Sequence, residues 1–149
     1  MNHFMLKFNH GVEIGARLAY IGHFKRTGEA GIHRIIQEEA HHRETLETIL
    51  RHHGEKSNKT IDSFFNLVGS SIGWLCKFMP LWSLDFVART METFAVFNYG
   101  YLAVKYPMYR SHFIEMSEAE TRHEEYFRLG PVQYQNLQNL RQSIGSGRM

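Results

Sequence analysis

Glu39-Ala-His-His42 and Glu120-Thr-Arg-His123 are two copies of one short pattern, Glu-x-x-His. Each is preceded by a lone glutamate, Glu13 before the first and Glu92 before the second, so the chain spells Glu, then Glu-x-x-His, twice over. Glu13 and Glu39 are 26 positions apart, with their midpoint at Arg26 in the Arg26-Thr27-Gly28 break. Glu92 and Glu120 are 28 apart, with their midpoint at Tyr106, immediately before Pro107. The residue before a proline is pushed out of the helical region, so a helix is expected to end there. Folding each half at its break brings its two glutamates to one height, about 20 Å from the turn at 1.5 Å of rise per residue. Four carboxylates and two imidazoles so arranged are the ligand set of a di-iron or di-manganese site inside a four-helix bundle.

Helical periodicity places these residues facing inward. Ile32, Ile35, Glu39, His42, Leu46 and Ile49 recur at intervals of three and four, which makes one stripe on a helix. Phe113, Met116, Glu120, His123 and Phe127 repeat the stripe, and Ala88, Glu92, Ala95, Tyr99 and Leu102 make a third. Isolated carboxylates in apolar seams carry a heavy desolvation cost, which a bound cation offsets directly. Glu38 with His41 has the same internal spacing but sits off the seam, as does Glu118.

These stripes predict an all-α, ferritin-like four-helix bundle. Its helices are expected at about Leu6–Lys25, Glu29–His53, Leu84–Tyr106 (with Ser83 as N-cap) and Met108–Leu129. The 149 residues are read as one domain, with a core over 6–130, a helical crossover over 54–83 between the second and third helices, and a polar tail over 131–149 containing a short helix. Hydrophobic content of 43% against 21% charged residues describes a globular chain, and a net charge of +2 provides no basic footprint for nucleic acid. The single cysteine, Cys76, excludes a disulfide framework and a rubredoxin-type iron site, and is expected to be a buried thiol. Met1 to His10 lacks the apolar segment of a secretory signal, so a cytoplasmic chain is expected, peripheral on the inner face of the cell membrane.

The membrane expectation comes from the crossover. Phe64, Phe65, Leu67, Val68, Ile72, Trp74, Leu75, Phe78, Met79, Leu81 and Trp82 crowd together, interrupted by Lys77, Pro80 and several Gly and Ser residues. A spanning helix needs about twenty largely uninterrupted apolar residues. Residues 61–84 instead read as an interfacial segment that meets a membrane surface, a quinone tail or a second copy of the chain, with packing as a fifth core helix as the alternative.

Glu13-Ile-Gly-Ala-Arg-Leu-Ala-Tyr20-Ile-Gly, Gln37-Glu-Glu39-Ala-His-His42-Arg-Glu-Thr-Leu46, Glu92 with Tyr99 seven positions on, and Glu120-Thr-Arg-His123 together resemble the helix signatures of the demethoxyubiquinone hydroxylases over residues 9 to 128. The resemblance implies two iron ions, with manganese as a variant, held by Glu13, Glu39, His42, Glu92, Glu120 and His123. It implies use of O₂ to hydroxylate a quinone ring, with Tyr99 as a catalytic supporting residue. The chain departs from the family at Asn98, where a histidine is usual, and in its polar tail. Two other readings use the same residues: a ferroxidase or peroxide-scavenging protein without organic substrate, and a non-enzymatic bundle that binds membrane or partner helices. The hydroxylase needs an apolar cavity from Phe65, Leu67, Trp74, Phe78 or Trp82 to the metals, whereas the ferroxidase needs only an ion path.

Overall fold

A computed structural model describes residues 3–146. The described chain is all-helical: α1 (Phe4–Thr27), α2 (Ala30–His52), α3 (Lys59–Leu75), α4 (Leu81–Lys105), a 3-10 turn (Pro107–Tyr109), α5 (Arg110–Leu129) and α6 (Pro131–Ser146). The expected breaks are where the chain turns. Gly28 ends α1 with φ of 69°, a left-handed conformation natural to glycine, and its N–H donates to Phe24 O at 2.8 Å. Tyr106 takes an extended φ of −123° ahead of Pro107.

Two boundaries differ from expectation. The third core helix starts at Leu81 rather than Leu84, with Pro80 in the N-cap position at a φ of −58° already suited to helix entry; Ser83 donates its hydroxyl to Pro80 O at 2.7 Å instead of capping. The polar tail forms a full helix, α6, tied to α5 by a bidentate contact of Arg141 with Glu125 at 2.8 and 2.9 Å.

Long-range contacts set the directions of the helices. Lys7 near the start of α1 pairs with Glu55 just past α2 at 2.7 Å, so these two helices are antiparallel. Arg89 on α4 lies 3.4 Å from Glu124 on α5, and Phe113 stacks near Tyr106, so that pair is antiparallel as well. Between the hairpins, α1 meets α4 and α2 meets α5. Helix α3 returns along the outside of α1, parallel to it, from the His10–Asp62 contact (2.9 Å) to the Arg26 guanidinium on the Cys76 carbonyl.

The packing of α3 leaves most of its large apolar side chains outside the core. Its buried residues are Gly69 and Gly73, whereas Phe64, Leu67 and Trp74 are exposed. A Cβ at Gly69 would fall on the backbone of Gly15, and one at Gly22 on the backbone of Gly73. Small residues on both helices allow this backbone approach, and Phe64 and Trp74 are turned outward as a consequence. Phe78, Leu81, Trp82 and Phe86 continue the exposed apolar surface onto α4. No described helix is long and apolar enough to cross a membrane. Cys76 is buried, as expected, with its thiol against Ala19 O.

Two apolar clusters form the core. One gathers Leu6, Leu46, Ile49, Leu50, Tyr99, Leu102, Phe113 and Met116; the other gathers Ala16, Tyr20, Ile32, Ile35, Ala88, Tyr126 and Phe127. Each seam runs from one cluster to the other, and the seam residues between the clusters are polar.

Candidate metal centre

That polar layer consists of Glu13, Glu39, His42, Glu92, Glu120 and His123, each at most 3% exposed. All six residues expected from sequence are brought together. They fall into two groups whose potential ligand atoms lie within 4.8 Å of one another: Glu13, Glu39, His42 and Glu120; and Glu39, Glu92, Glu120 and His123. Either group could hold a metal ion. Glu39 and Glu120, the glutamates of the two Glu-x-x-His motifs, belong to both.

The donor atoms converge, and apart from the His123 Nδ1–Glu120 Oε2 contact at 3.2 Å several of them go unsatisfied. His42 Nδ1 lies 2.9 Å from Glu120 Oε1 and 3.8 Å from Glu13 Oε2, yet it makes no aligned hydrogen bond. Glu13 Oε2, Glu39 Oε1 and Glu120 Oε1 are likewise buried without a hydrogen-bond partner. Orphaned buried polar atoms are costly, and four of them aimed at a common space fit a cation. Charge agrees: four carboxylates carry four negative charges, which two divalent ions neutralise. The oxygen-rich donor set with two imidazoles suits first-row metals such as iron or manganese.

Without metal, protons relieve the charge. Burial, then the Glu39 charge, pushes the Glu13 carboxyl well above the usual range, and burial with the Glu120 charge does the same to Glu92. Burial and Glu120 push Glu39 up to about 7. At Glu120 burial is outweighed by contacts from Glu92, His123 and His42, which hold it ionised far below the carboxylate norm. At His42 and His123 burial is likewise outweighed, chiefly by Glu120, so both imidazoles are raised.

A second layer holds these side chains. The Tyr99 hydroxyl donates to Glu13 Oε1, and the Tyr20 hydroxyl donates to Glu92 Oε1. Each tyrosine stands seven residues after one lone glutamate and braces the other, so α1 and α4 are cross-linked twice. Sequence reading placed Tyr99 beside Glu92 and did not place Tyr20 at the site; the repeated Glu-x₆-Tyr spacing was the available signal. On the opposite side, Glu38 Oε2 lies 2.5 Å from His123 Nε2 and directs Nδ1 toward Glu120 (3.2 Å), Glu39 (3.3 Å) and Glu92 (3.6 Å). Sequence reading had set Glu38 off the seam. It is off the seam, half-buried, and reaches around α2 to orient His123, while its partner in spacing, His41, is exposed. Glu118 is exposed, as expected. Asn98 is buried with its Nδ2 unpartnered.

An apolar groove of about 260 Å³ lies between α1, α3 and α4. Its walls include Val12, which precedes Glu13 in sequence, and Met91, which precedes Glu92, but none of the six layer residues. Of the residues expected to line such a cavity, Phe65 does so; Leu67, Trp74, Phe78 and Trp82 are exposed and do not line it. Comparison with protein-family models, curated proteins and solved structures finds no match to this chain.

Proposed function

We propose that the protein is a ferritin-like four-helix bundle, built from α1, α2, α4 and α5 with α3 as its crossover, that carries a di-iron centre and oxygenates an apolar quinone-type substrate. The observation that carries this reading is the buried layer of four glutamates and two histidines, whose donor atoms converge and of which Glu13 Oε2, Glu39 Oε1, His42 Nδ1 and Glu120 Oε1 have no hydrogen-bond partner. Glu39 and Glu120, which belong to both groups, would help hold both ions, with Glu13 and His42 holding one and Glu92 and His123 the other. Ferrous ions held by these residues would supply the electrons for reduction of O₂.

The chain's own residues support that chemistry in three ways. Tyr20 and Tyr99 each hold one oxygen of a lone glutamate, leaving the second oxygen for the ion. Glu38 fixes the ring of His123. The apolar clusters above and below exclude water from the layer. The groove between α1, α3 and α4 has almost wholly apolar walls, which favours a hydrophobic organic substrate over a purely inorganic one. Exposed Phe64, Trp74, Phe78 and Trp82 would rest on a membrane surface, from which an isoprenoid substrate could enter.

The test is a single turnover of the ferrous protein with a reduced demethoxyquinone analogue under labelled O₂. Label in the quinone ring supports the reading. Iron oxidation at full rate with the quinone untouched makes the protein a ferroxidase instead.

A further inference from the structure

The six buried side chains leave open how an ion reaches them. The groove between α1, α3 and α4 is walled by apolar side chains, and a hydrated divalent ion cannot shed its water there without a large cost. The far side of the layer is different. Helices α2 and α5 touch more sparsely than the helices of either hairpin, and the seam between them opens as a polar pocket of about 190 Å³. At about 30 Å³ per water this admits an ion with several of its waters. Its walls include Glu38, His41, His42, His112, Glu115 and Arg122.

Two of these walls belong to the centre itself. His42 lines the pocket while its ring, 4% exposed, places an unpartnered Nδ1 among the carboxylates. Glu38 lines it while holding His123 Nε2. His41, His112 and Glu115 are exposed at the mouth and offer imidazole and carboxylate donors of the same kinds as the buried layer. Arg122 is the one cation among the described lining residues.

We propose that this pocket is the port through which divalent metal ions enter the centre, with His41, His112 and Glu115 as separate single-ligand contacts along its mouth and His42 as the residue that passes the ion inward. The proposal rests on the reading of the buried layer as a metal centre. It accounts for a feature that the oxygenation reading leaves unused, namely polar side chains gathered around a pocket that reaches His42 of the layer. It also separates two traffic routes, with ions arriving across α2 and α5 and the apolar substrate across α1, α3 and α4.

The experiment mixes metal-free full-length protein with Co²⁺ and follows the visible bands of the bound ion in a stopped-flow instrument. The wild type is compared with a His41→Gln/His112→Gln/Glu115→Gln variant and with Arg122→Gln. All four positions are exposed and outside the six-residue layer, and circular dichroism checks that the fold is kept. The port predicts that the triple variant loads about tenfold more slowly, the scale of lost electrostatic focusing, while still binding two ions at saturation. Arg122→Gln should load faster than the wild type, and the wild-type rate should fall with salt. A triple variant that loads at the wild-type rate overturns the port. A triple variant that loses final stoichiometry also overturns it, because the residues would then build the centre rather than feed it. A wild type that takes up no Co²⁺ overturns the metal centre instead.

Discussion

Replacing Glu39 with glutamine should stabilise the metal-free protein and destabilise the metal-loaded one, with a pH signature that identifies the cause. Glu39 is fully enclosed, and burial with the Glu120 charge raises its carboxyl from 4.5 to about 7. A carboxyl raised on folding binds its proton more tightly in the folded state, so stability is present below the unfolded value and is lost as pH rises through the folded one. A shift of this size is worth about 3 kcal/mol, at 1.36 kcal/mol per unit. Glutamine cannot ionise and does not incur that loss. The stability difference between Glu39→Gln and wild type, both metal-free, should therefore grow in the variant's favour by about 3 kcal/mol between pH 4.5 and 8, or about 6–12 °C in Tm for a domain of this size. His3 and His23, both lowered chiefly by burial, titrate in both proteins and cancel in the difference. With two equivalents of Mn²⁺ the sign reverses, because the wild-type carboxylate is then neutralised by the ions and glutamine removes a donor shared by both groups. Thermal melts from pH 4.5 to 8, with and without Mn²⁺, make the comparison. A difference that stays flat with pH in the metal-free protein would refute the argument, since it would mean the buried carboxyl does not titrate as its surroundings require.

Other expectations follow from the same geometry. Glu120→Ala should abolish binding of both ions because it contributes to both groups, whereas Glu13→Ala should leave one ion per chain; elemental analysis after gel filtration reads the difference. Tyr20→Phe and Tyr99→Phe should each cost about 1.5–3 kcal/mol in the metal-loaded protein, the value of a hydrogen bond to a charged group, while Mn²⁺ stoichiometry stays at two and its electron spin resonance spectrum changes. Gly69→Leu should detach α3 from α1, because the side chain would collide with Gly15 backbone, and should appear as faster amide exchange across residues 59–75 than elsewhere. Trp74→Ser with Phe78→Ser should weaken liposome binding several-fold with no loss of helix content, because both side chains are already exposed.

How much of this was legible without coordinates depends on the range of each interaction. The seams through Ile32–Ile49, Ala88–Leu102 and Phe113–Phe127 are buried as their three-and-four spacing requires, because helical periodicity is local and α-helix geometry is invariant. The breaks at Gly28 and Tyr106 are local in the same way: one needs a positive φ, the other precedes a proline. Equal arm lengths about those breaks were enough to bring the two lone glutamates level with their Glu-x-x-His partners.

What only the tertiary structure decided involves side chains far apart in sequence. Tyr99 braces Glu13 across 86 positions and Tyr20 braces Glu92 across 72, a crossed pairing set by how α1 lies on α4 rather than by the spacing within either helix. Glu38, excluded by the seam argument, reaches His123 because a long side chain at the edge of a stripe can span to the neighbouring helix even though its Cα faces away. The aromatic crossover reads as an interfacial segment, but its composition does not say which face meets α1: its glycines and Phe65 do, while Phe64 and Trp74 face outward. Composition reports how much apolar surface a segment carries, but which face is covered depends on which surface lets two backbones approach most closely, and here that was the stripe of Gly69 and Gly73.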